Sequence, residues 1–232
     1  MAYDFLGLVN DVNNRLNEVE LTGGASGTFS TATGYYSFAK DAVNAAIRHI
    51  NQEEYEWPWN HVAADETLLA GTVRYSYPND AKTVNMNSFR IKRDSALNVG
   101  TVKLKNMTYE EWLNKYADDE YNTGTSNRST PTHVVRCPSR ELIFYPNPDQ
   151  AYEVAYEYYR LGFDLENDTD VPPLPEQYRF CIIDGAMHYV YQFRGDSAQS
   201  NTALQKFQQG IKHLRSLNIN RTDYLRDTRV SF

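Results

Sequence analysis

The residues in this chain best suited to chemistry are its acids, because two carboxylates facing one cleft can cleave a glycosidic bond. The densest group is Glu110, Glu111, Asp118, Asp119 and Glu120. On a short helical stretch this spacing fits a solvated face, and a paired-acid hydrolase stands only as the enzymatic alternative. Metal chemistry has less support. His49, His61, His133, His188 and His213 are scattered, and none forms the paired spacing of a zinc-binding helix. Asp168 and Asp170 resemble the start of a calcium loop, but the turn glycine and closing glutamate are missing, so a solvated loop is expected. Cys137 and Cys181 sit in no C-x-x-C pair and read as buried thiols of a chain folded in a reducing cytoplasm. Gly23, Gly24 and Gly27 lack the Lys-Ser/Thr that would make a phosphate cradle, and no G-x-S-x-G elbow occurs. No cofactor is expected, and no catalytic or metal-binding residue stands out.

Charge and composition point to a different class. The net charge is −7, which is no nucleic-acid footprint. Residues 149–170 hold seven acids against Arg160 alone, whereas residues 212–232 hold five bases against two acids. Such polarity suits head-to-tail association or partners of opposite sign at the two ends. Eighteen tyrosines supply amphipathic contact area, divided between a β core and partner surfaces. No apolar run is long enough to span a membrane, and residues 1–5 carry no basic export signal.

Helical periodicity frames both ends of the chain. Phe5, Leu8, Val9, Val12, Leu16 and Val19 form one stripe with Asp4 as N-cap, and Tyr36, Ala39, Val43, Ala46, Ile47 and Ile50 form a second over residues 35–56. Trp57-Pro58-Trp59 ends that helix. Pro175 opens a nearly all-round apolar helix with Phe180, Ile183, Ala186, Met187, Val190, Tyr191 and Phe193. A last helix carries Ala203, Leu204, Phe207, Ile211, Leu214 and Leu217. Between them the period falls to two: residues 72–77, 89–92, 99–105 and 132–137 read as strands. Thr108, with Glu111 at the capping-box position, starts a short helix, and residues 122–130 read as a mobile polar loop. Residues 142–145, the turn Pro146-Asn147-Pro148-Asp149 and the alternating return Tyr152, Val154, Tyr156 and Tyr158 predict a β-hairpin.

The order of these elements carries a resemblance. A helical start ending in W-P-W, a β-rich middle, the P-N-P-D hairpin and P-x-x-P-E-x-Y before the C-terminal helices look like the head-to-tail adaptors of tailed bacteriophages, of the tail tubular protein A type. The expected fold is α+β: a four-helix bundle from both chain ends, with a β-rich insertion between helices two and three. Residues 1–61 and 172–217 form the bundle, 62–171 the insertion, and 218–232 an extended docking segment.

The resemblance implies a non-catalytic virion neck protein made in the host bacterial cytoplasm. It would form a ring, twelve-membered in related families, that seals the DNA-filled head under the portal protein. It would also present a platform for the tail nozzle or tail tube protein. DNA would pass its channel without specific binding. Arg221, Tyr224, Leu225, Arg226, Arg229 and Phe232 are the expected portal-binding residues, the arginines for carboxylates and the apolar groups as anchors. The alternatives are a peptidoglycan-degrading tail enzyme using paired carboxylates and a carbohydrate-binding β module with an aromatic groove.

Overall fold

Asp4 caps the first helix as expected, its Oδ1 accepting from the Gly7 N–H at 2.7 Å. The computed structural model describes residues 2–23, 29, 34–94, 99–121, 124 and 127–219. Among these the chain is mixed α+β, with six α-helices and two β-sheets. It divides into two units, Met1–Asn60 with Gly162–Phe232, and His61–Leu161.

In the first unit, α1 (Phe5–Arg15) buries Phe5, Leu8, Val9 and Val12. Two free N–H groups of its first turn, those of Phe5 and Leu6, donate to the carbonyls of Asp170 and Asp168. The acidic segment after Gly162, expected in the insertion, thus groups with the helices, and Leu165 joins their core. The second helix, α2 (Tyr35–Glu53), stops three residues short of the predicted end. Glu54 is extended, and the carbonyl of Ile50 accepts from the indole N–H of the fully buried Trp57. The W-P-W motif folds back on the helix it terminates, with Trp57 and Trp59 stacked at 4.7 Å.

A 3-10 turn at Glu176–Tyr178 after Pro175 leads into α5 (Arg179–Phe193), and Asp196 caps α6 (Ser197–Asn218) through the Gln199 N–H. Helix α5 packs against α1, α2 and α6. Gly185 makes that possible: a Cβ there would lie 2.8 Å from Ala46 Cβ and 2.7 Å from the Phe207 ring. Two ion pairs, Asp11–Arg179 and Arg15–Asp184, advance in the same sense along both α1 and α5, so the two helices run parallel, and Glu18–Arg194 joins the chain just past their ends. The expected all-round apolar character of α5 needs correction. Phe180 is 67% and Phe193 60% exposed, since the packed surface of α5 is the one bearing Ile182, Ile183, Ala186 and Val190.

The second unit is layered. One sheet runs β1 (His61–Leu68), β9 (Tyr152–Arg160), β4 (Arg90–Asp94), β5 (Val99–Lys103), with β3 (Ala81–Val84) also on β9. The other runs β2 (Arg74–Ser76), β8 (Glu141–Tyr145), β7 (His133–Arg136), β6 (Lys105–Met107). Val154, Tyr156, Phe89 and Ile91 from the first sheet share a core with Leu142, Phe144, Val134 and Tyr75 from the second. On the far side of the second sheet, Ile143 and Val135 meet Trp112 of α3 (Tyr109–Lys115). Strand β8 is therefore buried on both faces, which explains its unbroken apolar run. Helix α3 begins with Thr108 Oγ1 accepting from the Glu111 N–H, as predicted, and α4 (Ala117–Tyr121) follows.

The predicted hairpin is not one. β8 is the apolar run and β9 the alternating strand, as expected, but the two lie in different sheets, and P-N-P-D is the crossing between them. Neither proline has an N–H to donate. The Asn147 and Pro148 carbonyls accept from Ser129 and Gly71, which hold the connection away from a two-strand turn. Each strand already has neighbours on both sides, β2 and β7 for β8, and β1 with β3 and β4 for β9.

Candidate functional site

The carboxylate cluster on α3 and α4 is not one solvated face. Glu110 is exposed, and Glu111 pairs with Lys115 one turn on at 2.8 Å. Glu120, by contrast, grips Arg74 of β2 with both oxygens, at 2.5 and 2.9 Å, and Arg74 also reaches Glu141. Asp119 accepts from the Tyr145 hydroxyl at 3.1 Å, and its carbonyl accepts from the Asn147 amide. The Tyr145 hydroxyl is pushed up to about 12 by burial and by the Asp119 carboxylate. These acids fasten the short helix to the sheet, so the expectation of a wet face holds for Glu110 and fails for Asp119 and Glu120. The tether joins residues 46 positions apart, beyond any local spacing rule.

The remaining reactive groups are similarly occupied. Burial pushes the Cys137 thiol up to about 11 and the Cys181 thiol to about 12, which leaves both protonated and poorly nucleophilic at neutral pH. His188 is buried and sits 2.9 Å from Ser200 Oγ across the α5–α6 contact, while His49 meets the Tyr189 hydroxyl at 3.0 Å. No group of three or more His, Cys, Asp or Glu among the described residues could hold a metal ion. None of the helices there is long and apolar enough to cross a membrane.

The acidic loop is also less available than its composition implied. Arg48 clamps both Asp164 oxygens and holds that carboxyl below its usual range. Asp170 accepts the Asn167 and Glu166 N–H groups, which likewise depress it. Asp168, expected in a solvated loop, is 5% exposed because the loop closes over the start of α1. The aromatic groove needed by a carbohydrate module finds little material: Trp57 and Trp112 are buried, and of the described tyrosines only Tyr55 and Tyr121 are exposed.

What remains for partners is surface rather than cleft. On the helical unit, Phe193 stacks on Phe38 at 4.0 Å, and the Arg194 guanidinium lies over Tyr35. Leu217, expected on the buried stripe of α6, is 61% exposed. The predicted docking residues Arg221, Tyr224, Leu225, Arg226, Arg229 and Phe232 lie outside the described residues. Their point of departure is defined: Asn218 donates to the Tyr178 hydroxyl and the Leu214 carbonyl, and Ile219 packs on the helical core. The described chain therefore ends beside the beginning of α5.

Compared with known families, residues 3–230 match the one described as SU10 adaptor protein. No curated protein matches the chain.

Proposed function

This chain belongs to the SU10 adaptor protein family, and we propose that it is a structural head-to-tail adaptor of a tailed phage that assembles as a ring, twelve-membered by analogy, beneath the portal protein. The ring seals the filled head and offers a platform to the tail nozzle or tail tube protein. In this reading α1, α2, α5 and α6 form a four-helix bundle that builds the ring wall, and the β unit faces the tail. Residues 218–232 dock on the portal through Arg221, Arg226, Arg229 and the apolar anchors Tyr224, Leu225 and Phe232. DNA passes without specific binding, and an acidic protein suits that by repelling phosphate.

The observation that carries the reading is the family match itself, which extends from residue 3 to residue 230 and so includes both units and the C-terminal segment. The engagement of Asp119 by Tyr145 and of Glu120 by Arg74 supports a structural, non-catalytic role over a peptidoglycan hydrolase. Mixing the protein with its portal and imaging the product tests it: rings seated on the portal are expected. Failure to bind the portal, or hydrolysis of purified cell wall by the protein alone, overturns it.

A further inference from the structure

The five-stranded sheet has two strand edges that carry opposite charge. On its solvent face β1 shows His61, Ala63, Asp65 and Thr67, and neighbouring β9 adds Glu153 and Glu157. At the other edge β5 shows Thr101 and Lys103, and β4 adds Arg90 directly opposite Lys103. Two like charges facing each other across a ladder are unfavourable. Lys92 is taken by Asp65 and Glu153, at 3.0 and 3.4 Å, whereas Arg90 and Lys103 make no ion pair with a carboxylate among the described residues. Lys105 follows on the same basic run.

The core-facing side is incomplete at the same two edges. Val102 of β5 lies opposite the buried Ile91 yet is 38% exposed. At the β1 edge Val62 and Ala64 are only partly covered. The β5 edge thus lacks an apolar neighbour for Val102 and a carboxylate for Lys103, while the β1 edge leaves Val62 and Ala64 partly open and carries Asp65, Glu153 and Glu157 against the single lysine Lys92 and His61.

We propose that β5 of one copy pairs with β1 of the next, so that the sheet continues from subunit to subunit. The inference rests on the ring reading above and names the contact that would build it. Topology agrees. β1, β9, β4 and β5 are successively antiparallel, so β5 runs opposite to β1. Placing copies side by side in the same orientation therefore brings β5 and β1 together as an antiparallel pair. A register that seats Val102 opposite Ala64 completes the apolar row and leaves Lys103 diagonal to Asp65, within reach of a long side chain. Opposite signs also oppose the wrong contacts: β1 meeting β1, or β5 meeting β5, juxtaposes like charges. The contact is heterologous, the kind that closes into rings.

Cross-linking tests it. Ala63→Cys and Lys103→Cys placed in one chain, mixed with portal and treated with a short thiol–thiol cross-linker, should yield a ladder of covalent oligomers on a denaturing gel. Each single variant should stay monomeric, since Cys137 and Cys181 are buried. A second pair on the same face, Thr67→Cys with Thr101→Cys, should behave alike and guards against one variant misfolding. If rings form on the portal and neither pair gives a ladder, the sheet-edge contact is wrong and the ring reading stands. If the wild-type protein forms no ring at all, both fail.

Discussion

Asn44 and Leu165 are joined by both ends of one amide: Asn44 Nδ2 donates to the Leu165 carbonyl at 2.9 Å, and the Leu165 N–H donates to Asn44 Oδ1 at 3.0 Å. Asn10 repeats the arrangement with Leu21, at 2.9 and 2.8 Å. In each case a buried helix asparagine takes the place of a strand partner for a loop leucine. Asn44→Ala would strand both backbone groups of Leu165 away from water. A loss of about 2–6 kcal/mol is expected in urea unfolding, at roughly 1–3 kcal/mol for each of the two unpaired groups. Arg48→Ala, which breaks the exposed pair with Asp164, should cost less than about 1 kcal/mol. Equal losses in the two variants would refute this ranking.

The α3–α4 acids should separate in the same kind of measurement. Glu120→Gln weakens the clamp on Arg74 and should cost about 1–2 kcal/mol, in line with hydrogen bonds to charged groups. Glu110→Gln should stay within about 0.5 kcal/mol of the parent, as a free surface site does. Neither change should affect infectivity once particles have assembled. Loss of infectivity in Glu110→Gln with normal assembly would restore the hydrolase reading.

Acid should loosen the segment that covers the start of α1. Asp164 is depressed by the Arg48 hydrogen bonds, and Asp170 by the Asn167 and Glu166 N–H groups, both from an ordinary 3.8. A carboxyl that holds its proton less tightly when folded adds stability above its unfolded pKa and loses it as pH falls through the folded value. Tm should therefore be flat from about pH 7 to 5 and fall below about pH 4. In Asp170→Asn part of that acid dependence should vanish. An unchanged Tm–pH profile in that variant would refute the assignment.

These contacts also mark where sequence reading succeeds and where it stops. The α1 stripe from Phe5 to Val12, the α2 stripe, the Asp4 cap and the Thr108 start depend on neighbours within a few residues and sit where periodicity put them, whereas Val19, expected on the α1 stripe, lies beyond the helix and is 73% exposed. The β8–β9 connection has the composition of a hairpin, but strand partners are chosen across the whole sheet, and Asn147 and Pro148 bond to Ser129 and Gly71 instead. Phe180 and Phe193 obey helical spacing, yet exposure depends on which neighbours arrive. The buried amides did leave a trace, since Asn10 and Asn44 stand beside Val9 and Val43 on otherwise apolar stripes. The edge polarity of β1 and β5 left none, because it requires the strand order.

The last prediction concerns the C-terminal segment, expected from sequence to begin at Asn218. The structure puts Asn218 inside α6, bonded to Tyr178 at 3.1 Å and to Leu214 at 2.9 Å. Ile219 packs against the helical core, and its N–H donates to the Arg215 carbonyl at 3.0 Å. The two residues belong to the fold, so the cut that isolates docking from stability falls after Ile219. Deleting residues 220–232 should leave a soluble protein with near-native Tm that no longer binds the portal. Deleting 218–232 should also abolish binding, and should cost about 2–4 kcal/mol more from the three hydrogen bonds of Asn218 and Ile219 and the lost packing of the Ile219 side chain. Calorimetry of the two truncations beside the full chain, with portal pull-down, separates the roles. A shorter truncation that melts far below the full chain would mean the segment packs on its own helices, and undiminished portal binding would remove it from the interface.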